Sequence, residues 1–515
     1  MLRTRRMLWA MALLVGLALA PAVPSRSGPA QPKRGGTLTV GINADAATLN
    51  PFVFRFNVER NVLHMTHETF INYNLQTLQL ANTGALESWQ VSRDGLTYTL
   101  RLHANLKFHD GSPATAEDAK WSLEKAAEPP SARTAALLTF VDRVEVVDPR
   151  TIRVTMKTPD SIFPDTLVDV WLAKRVTPDT ELATRPNGTG PFKLVRWDRA
   201  QGFEFERNAD YHFQGKPYLD KLIFRIIPDG TVRQLQLFNG QIDFADALPI
   251  ASVAQFKLNR NLDVYELRGT SVAGLIYFCL SNVTPPFNDK RVRQAASFAI
   301  DRNKIKTLLF GLLDPRAWSI PKGTPFFAND QTDYSRRNVA KARQLLAETG
   351  NPNPEFDLMY HATGFAEDII AQTVEQSLKE VGFRVNIRPV EIGQYVAQVL
   401  TPPFRFQGGL TSIVPKPNEY DQLNHPYGKL NGQALQYNRV NPAFYEKLQA
   451  ARSIPDPAKY KAAIQELQKI ASEDQPAIII GGARHIPLHA AYKYVKGFVI
   501  HPQQRFFFTD VWLDK

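Results

Sequence analysis

The sequence predicts a mixed α/β protein of two lobes with a cleft between them, carried behind a short export leader. Three observations predict it. The first half reads as alternating strands joined by tight turns, the second half holds a strand–helix–strand unit, and the first thirty residues are graded like a secretory signal. At 515 residues, with 44% hydrophobic and 22% charged, the chain is long enough for two to four units of about 100–200 residues each.

The leader comes first. Arg3, Arg5 and Arg6 form a basic head, and Met7 to Ala20 is an unbroken apolar run. That run falls short of the roughly 20 residues that span a bilayer. Ala20-Pro21-Ala22 and Gly28-Pro29-Ala30 are two candidate cleavage sites, and Arg5-Arg6 leaves a twin-arginine export route open beside the general one. The single cysteine, Cys279, is far from either cleavage site, so neither a lipid anchor nor an internal disulfide is expected. Its run Leu275–Leu280 reads it as a small buried hydrophobe. The expected product is a soluble exported protein, periplasmic where there is a periplasm, and a monomer.

The elements follow in order. Thr37 to Gly41 alternates as a short strand, and Asp45–Pro51 is a loop. Tyr98, Leu100 and Leu102 alternate, Leu106 and Phe108 repeat the pattern, and His109–Ser112 is a turn. Thr115 with Asp118 has the capping-box spacing for a helix over Ala119–Ala127. Val144 and Val146, then Asp148-Pro149-Arg150, then Ile152, Val154 and Met156 predict a hairpin. In the second half, Asn288 caps a helix whose stripe is Val292, Ala295, Ala296, Ala299 and Ile300. Phe356, Leu358 and Tyr360 form a strand. A helix follows, with Ile370, Val374, Leu378 and Val381 inward and Gly382 closing it, and then a strand through Val385 and Ile387. Asp456-Pro457 opens a last helix with Pro457 at its first position, leading into a strand at Ala477–Ile480.

Reactive chemistry is scarce. There is no Gly-x-Ser-x-Gly elbow, and Gly188-Thr189-Gly190 lacks the lysine of a phosphate loop and reads as a turn. His64 and His67 do not have metalloprotease spacing and read as exposed helical histidines; His109 reads as structural. No enzyme activity, cofactor or metal is expected. Net charge is +11; cleavage after Ala30 leaves 57 basic against 50 acidic residues, too dispersed for nucleic-acid binding.

Several segments together resemble the peptide and nickel family of extracellular solute-binding proteins, family 5. They are Glu87–Tyr98 (ESWQVSRDGLTY), Leu106–Pro113 (LKFHDGSP), Thr115–Asp118 (TAED), Gly188–Lys193 (GTGPFK), Arg207–Tyr211 (RNADY), Phe224–Asp229 (FRIIPD), Asn239–Asp243 (NGQID), Pro286–Ala295 (PFNDKRVRQA) and Val511–Leu513 (VWL). The resemblance runs from about residue 35 to the C-terminus. It implies a two-lobed periplasmic binding protein of type II, in the large cluster C form. The expected organisation is a signal peptide over 1–30 and a first lobe over 31–270, with an extra subdomain at about 75–185. A second lobe takes 271–485, and the chain returns to the first lobe over 486–515. Ligand would lie between lobes that close by hinge motion, and the implied partners are the permease and ATPase subunits of an ABC transporter.

The resemblance thins at the ligand. Dipeptide-binding members hold the peptide ammonium with an Asp after a Gly-Trp, and the carboxylate with an Arg. Here the corresponding stretches are Gly408–Pro415 (GGLTSIVP) and Tyr360–Phe365 (YHATGF), without Trp, Asp or Arg. Glu419 and Asp421 are the nearest acids for that role. An unpartnered buried charge costs several kcal/mol, so a larger or less zwitterionic solute is expected: a longer or modified peptide, or a glycosylated compound. The expected lining residues are Asn50 and Phe52 from the first lobe, with Tyr360, His361, Thr363, Thr411 and Ser412 from the second. A ligand sensor or chaperone-like protein on the same fold, and a metal-complex carrier, are the alternative functions.

Overall fold

The computed structural model describes residues 31–54, 57–74, 79–128, 132–265, 274–361, 366–413, 418–428, 435–483, 488–501 and 505–515. The leader expected over 1–30, the lobe crossings expected at 271 and 485, and Thr363 lie outside them.

Two central sheets organise the chain. The first has seven strands, in the order Leu262–Tyr265, Leu488–Tyr492, Phe244–Leu248, Thr37–Ile42, Lys221–Ile226, Gly202–Arg207 and Phe192–Asp198. Thr37–Ile42 runs parallel to both of its neighbours, while the other pairs are antiparallel. Leu38, Val40 and Ile42 point into one core with Phe203, Phe205 and Phe224, as strict alternation requires. A separate four-stranded antiparallel sheet orders Leu86–Val91, Thr97–Leu102, Thr151–Met156 and Val141–Asp148, and the expected hairpin closes it. Leu106 and Phe108 do not extend it. Their segment folds back through a single bridge between Lys107 and Pro113, because the Phe108 amide donates to the Ser112 carbonyl at 2.9 Å. The helix on this sheet is Ala116–Ala126; Asp118 accepts from the Thr115 amide at 2.9 Å, which is the carboxylate half of the expected capping box.

The second sheet orders Leu313–Pro315, Ala477–Ala483, Gly274–Leu280, Gly408–Ile413, Glu355–Tyr360 and Arg384–Pro389. Gly274–Leu280 is buried along its whole length. Its period of two divides the side chains cleanly. Ile276, Phe278 and Leu280 join Val292, Ala295, Ala296 and Ala299, whereas Leu275, Tyr277 and Cys279 join Tyr395, Tyr420 and Leu467. Each large side chain so buried contributes about 1.5–3 kcal/mol. Cys279 is 2% exposed, and burial pushes its thiol up to about 12, so it is an inert core residue. The helix carrying the alanine stripe is Lys290–Ala299, and its cap is Asp289 rather than Asn288: the Asp289 carboxylate accepts from the Arg291 amide at 2.8 Å and is also gripped by the Arg291 guanidinium. Pro457–Asp474 starts as expected, with Asp456 accepting from the Lys459 amide.

Among the described residues, the two bodies meet through an apolar cluster and a polar seam. The cluster runs from Leu237, Leu248 and Phe256 beside the first sheet to Ile276, Phe278, Leu358 and Leu410 on the second. The seam joins Asp160 and Ser161, just beyond strand Thr151–Met156, to Arg452.

Candidate functional site

The first body holds a buried aromatic and cationic wall beside one helix. Helix Asn57–Thr66 is buried from Glu59 onward, which overturns the reading of His64 and His67 as exposed: they are 4% and 1% exposed. The helix is covered on several sides at once. The His64 ring lies 4.6 Å from Trp171 and 4.5 Å from Phe507, and Phe54 meets Trp171 edge-on at 6.0 Å. Arg505 ties the wall together, donating to the Asp169 carboxylate at 2.6 Å and to the Val168 carbonyl at 2.7 Å. Burial, then the charges of Arg505 and Arg60, hold both His64 and His501 well below the usual imidazole range. Trp171 Nε1 and His64 Nε2 are buried without a hydrogen-bond partner among the described residues, an uncommon condition for polar atoms in a native interior.

Beneath this wall lies a second histidine group with a structural task. Glu68 accepts from Thr189, from the Tyr211 hydroxyl and from His212 at 2.8–3.0 Å. Gly188-Thr189-Gly190 is a bend pressed onto the end of helix Asn57–Thr66: a Cβ on Gly190 would lie 2.5 Å from the Thr66 carbonyl carbon. His109 shares this scaffolding role through Nε2, 3.1 Å from the Gly190 carbonyl. Among the described residues no group of three or more His, Cys, Asp or Glu is placed to hold a metal ion.

The second body gathers a smaller group of its own around Tyr395. Tyr360 ends its strand, with its carbonyl accepting from the Val390 amide at 2.9 Å. His361 follows at once, edge-on to Tyr395 at 4.6 Å, with Nδ1 unpartnered among the described residues and its basicity lowered by burial. Gly409 makes room for the Tyr395 hydroxyl, which a Cβ there would approach to 2.9 Å; Thr411, two residues on, shares that face. Ser412 falls on the opposite face by alternation. The structure therefore gathers His361 and Thr411 around Tyr395. Asn50 and Phe52 are committed within the first body: the Asn50 side-chain oxygen accepts from the Phe52 amide at 2.9 Å, its amide reaches Asp179, and the Phe52 ring packs edge-on against Trp121.

Sequence reasoning missed the seam where the bodies meet. Arg452 of helix Pro442–Arg452 reaches across to Asp160, donating from Nε at 2.7 Å and from Nη2 at 2.5 Å, and lies over the Phe140 ring at 4.2 Å. Its own carbonyl accepts from the Ser161 amide and hydroxyl. Both charged side chains are almost fully buried; burial alone would lower the Arg452 pKa, but the Asp160 bonds outweigh it and raise it. Close by, the Tyr73 hydroxyl donates to Asp165 at 2.9 Å, and burial pushes the Asp165 carboxyl up to about 7. Tyr73 also lines a cavity of about 500 Å³ with Tyr211, Phe213, Phe507, Asn72 and Thr509. No sequence signal pairs residues 160 and 452; only Glu419 and Asp421 stood out, as acids near the altered strand end.

The sequence profile of the bacterial extracellular solute-binding proteins, family 5, middle region, matches residues 82–431. The chain belongs to this family. Family 5 relatives include the glutathione-binding protein GsiB of Pectobacterium atrosepticum, 27% identical over 494 residues that cover 92% of this chain and 93% of the relative. The periplasmic binding protein DppA of Helicobacter pylori, solved with the peptide STSA, superposes with a TM-score of 0.78 at 22% identity, covering 94% of this chain and 99% of that one. NikA of Brucella suis, solved with Fe(III)-EDTA, gives 0.82 at 18% identity, covering 93% and 100%. The fold is thus the two-lobed one of the periplasmic binding proteins, and the family and these relatives are binding proteins rather than enzymes. Among the described residues no helix is long and apolar enough to cross a membrane.

Proposed function

We propose that this family 5 protein is the solute-capturing component of an ABC importer, exported behind residues 1–30 and working in the periplasm as a monomer. It takes a peptide-like or other oligomeric solute between a first lobe, 31–270 with its return over 486–515 and an extra subdomain at about 75–185, and a second lobe, 271–485. The closed form then presents the solute to the permease, whose ATPase subunits drive uptake. The observation that carries this reading is the family match over residues 82–431, with His361 and Thr411 around Tyr395 as candidate contacts of a binding pocket. Such pockets join apolar and aromatic surface to a few polar groups that fix orientation. Relatives named for glutathione and for a bound peptide support a peptide-like solute. The missing Asp and Arg of the dipeptide clamp support one longer or less zwitterionic than a free dipeptide.

Native mass spectrometry of the mature chain, purified gently from the exported fraction, tests this. A retained adduct whose fragments are peptide-like is the expected result. A panel of peptides should then raise stability by about 2.7 kcal/mol at a hundredfold excess over the dissociation constant. No adduct, together with no stabilisation by any peptide, sugar or metal complex, would rule out solute capture and favour a sensory role.

A further inference from the structure

We propose that the first body holds a binding site of its own, separate from solute capture between the lobes: a ring-lined cavity that takes a small zwitterion bearing a planar aromatic group, a free aromatic amino acid. The cavity encloses about 500 Å³, within the roughly 300–1,000 Å³ of small-molecule sites. Every residue lining it falls within 72–83, 211–216 or 497–510, so the second body is not needed to form it. Its apolar surface comes chiefly from the rings of Tyr73, Tyr211, Phe213 and Phe507. The two tyrosine hydroxyls are committed elsewhere. Tyr73 donates to Asp165 at 2.9 Å and Tyr211 to Glu68 at 3.0 Å, and neither acid lines the cavity. What these tyrosines offer a guest is therefore ring carbon.

The rings are braced by their neighbours. Phe507 lies 4.5 Å from His64 and 5.4 Å from His501, and His501 also meets Tyr73 at 6.2 Å. Tyr211 meets Phe213 edge-on at 5.6 Å. A pocket already in shape loses little freedom when it is filled, and a guest ring gains offset or edge-on contacts that an aliphatic chain does not. Among the lining residues the only charged side chains are Lys216 and Asp510, and they form an ion pair with each other. The pair stands in water, its side chains 34% and 58% exposed. An ammonium has three donors and a carboxylate about four acceptor positions, so each partner keeps capacity for a guest after pairing. The pair is neutral as a whole. A zwitterion laid along it sets its carboxylate toward Lys216 and its ammonium toward Asp510, whereas a guest with one charge also meets the like-charged partner.

Calorimetric titration of the full mature chain with L-tryptophan tests the proposal. Saturable one-to-one binding is the expected result. Tryptamine lacks the carboxylate and indole-3-propionate lacks the ammonium; each should bind about twofold to fivefold more weakly, the range of an exposed ion pair. L-leucine keeps the head group without the ring and should be weaker by about tenfold. Thr83 is an exposed lining residue, so Thr83→Trp should plug the cavity and abolish binding with the urea midpoint unchanged. Hydrogen exchange gives a second readout that needs no variant: tryptophan should protect residues 72–74, 211–216 and 497–501. The proposal is overturned by no saturable binding of tryptophan, by leucine or the one-charge probes binding as tightly, or by full binding to a folded Thr83→Trp chain. Protection at residues 360–361 and 408–413 instead would place tryptophan in the second body and overturn it too. All of these results leave solute capture standing, since the adduct in the native mass spectrum decides that separately.

Discussion

Arg452 illustrates how much a single residue can carry. Its guanidinium makes two bonds to a carboxylate that is itself fully buried, so Arg452→Ala strands Asp160 as an unpaired charge. Breaking such a pair from one side costs about 3–5 kcal/mol. Denaturant titration should show that loss for Arg452→Ala, and a much smaller one for the Arg452→Met, Asp160→Leu double variant, which removes both charges and keeps the volume. Equal losses in the two would mean that packing rather than charge holds the seam. The pair also marks the limit of reading a sequence. Its members are 292 positions apart, and nothing local to either announces the other.

At the scale of elements, the buried histidines give the chain an acid-sensitive edge. Burial lowers His67 to about 3, and His109 to about 4, from an ordinary value near 6.5. The unfolded chain then binds more protons than the folded one below pH 6.5. The stability they contribute is intact above that value and is lost as pH falls toward 4 and then 3. Urea midpoints should drop between pH 6.5 and 4, and His67→Asn should flatten the drop; an unchanged slope would remove His67 from the account. Elements of this kind were legible in part. The hairpin at Val141–Met156 and the stripe on Lys290–Ala299 follow from periodicity alone. The burial of helix Asn57–Thr66 does not, because its cover comes from Trp171 and from Phe507, distant in the chain and invisible to a local pattern. The cap at Asp289 rather than Asn288 turned on Arg291, whose grip chose between two equally competent neighbours. On the candidate site, sequence led to His361 and Thr411 but not to Tyr395, around which they gather, nor to Tyr73 and Asp165.

For the whole molecule, the first sheet is completed from both ends of the described chain. Strand Leu488–Tyr492 lies between Leu262–Tyr265 and Phe244–Leu248, in the sheet interior, while the six-stranded sheet is built entirely within residues 274–483. A chain ending at Ala483 lacks an interior strand of one sheet and no strand of the other. Limited proteolysis of that truncation should leave a resistant fragment from the second body and digest the first; resistance of both would show that strand to be dispensable. There is a consequence for timing. A polypeptide emerging N-terminus first holds its opening strand, Thr37–Ile42, beside an unfinished sheet until about 450 further residues have appeared. Long-range pairings of this sort form slowly. The architecture delays its own completion, and that looseness suits the proposed export, in which a chain is threaded through a translocation pore before it locks.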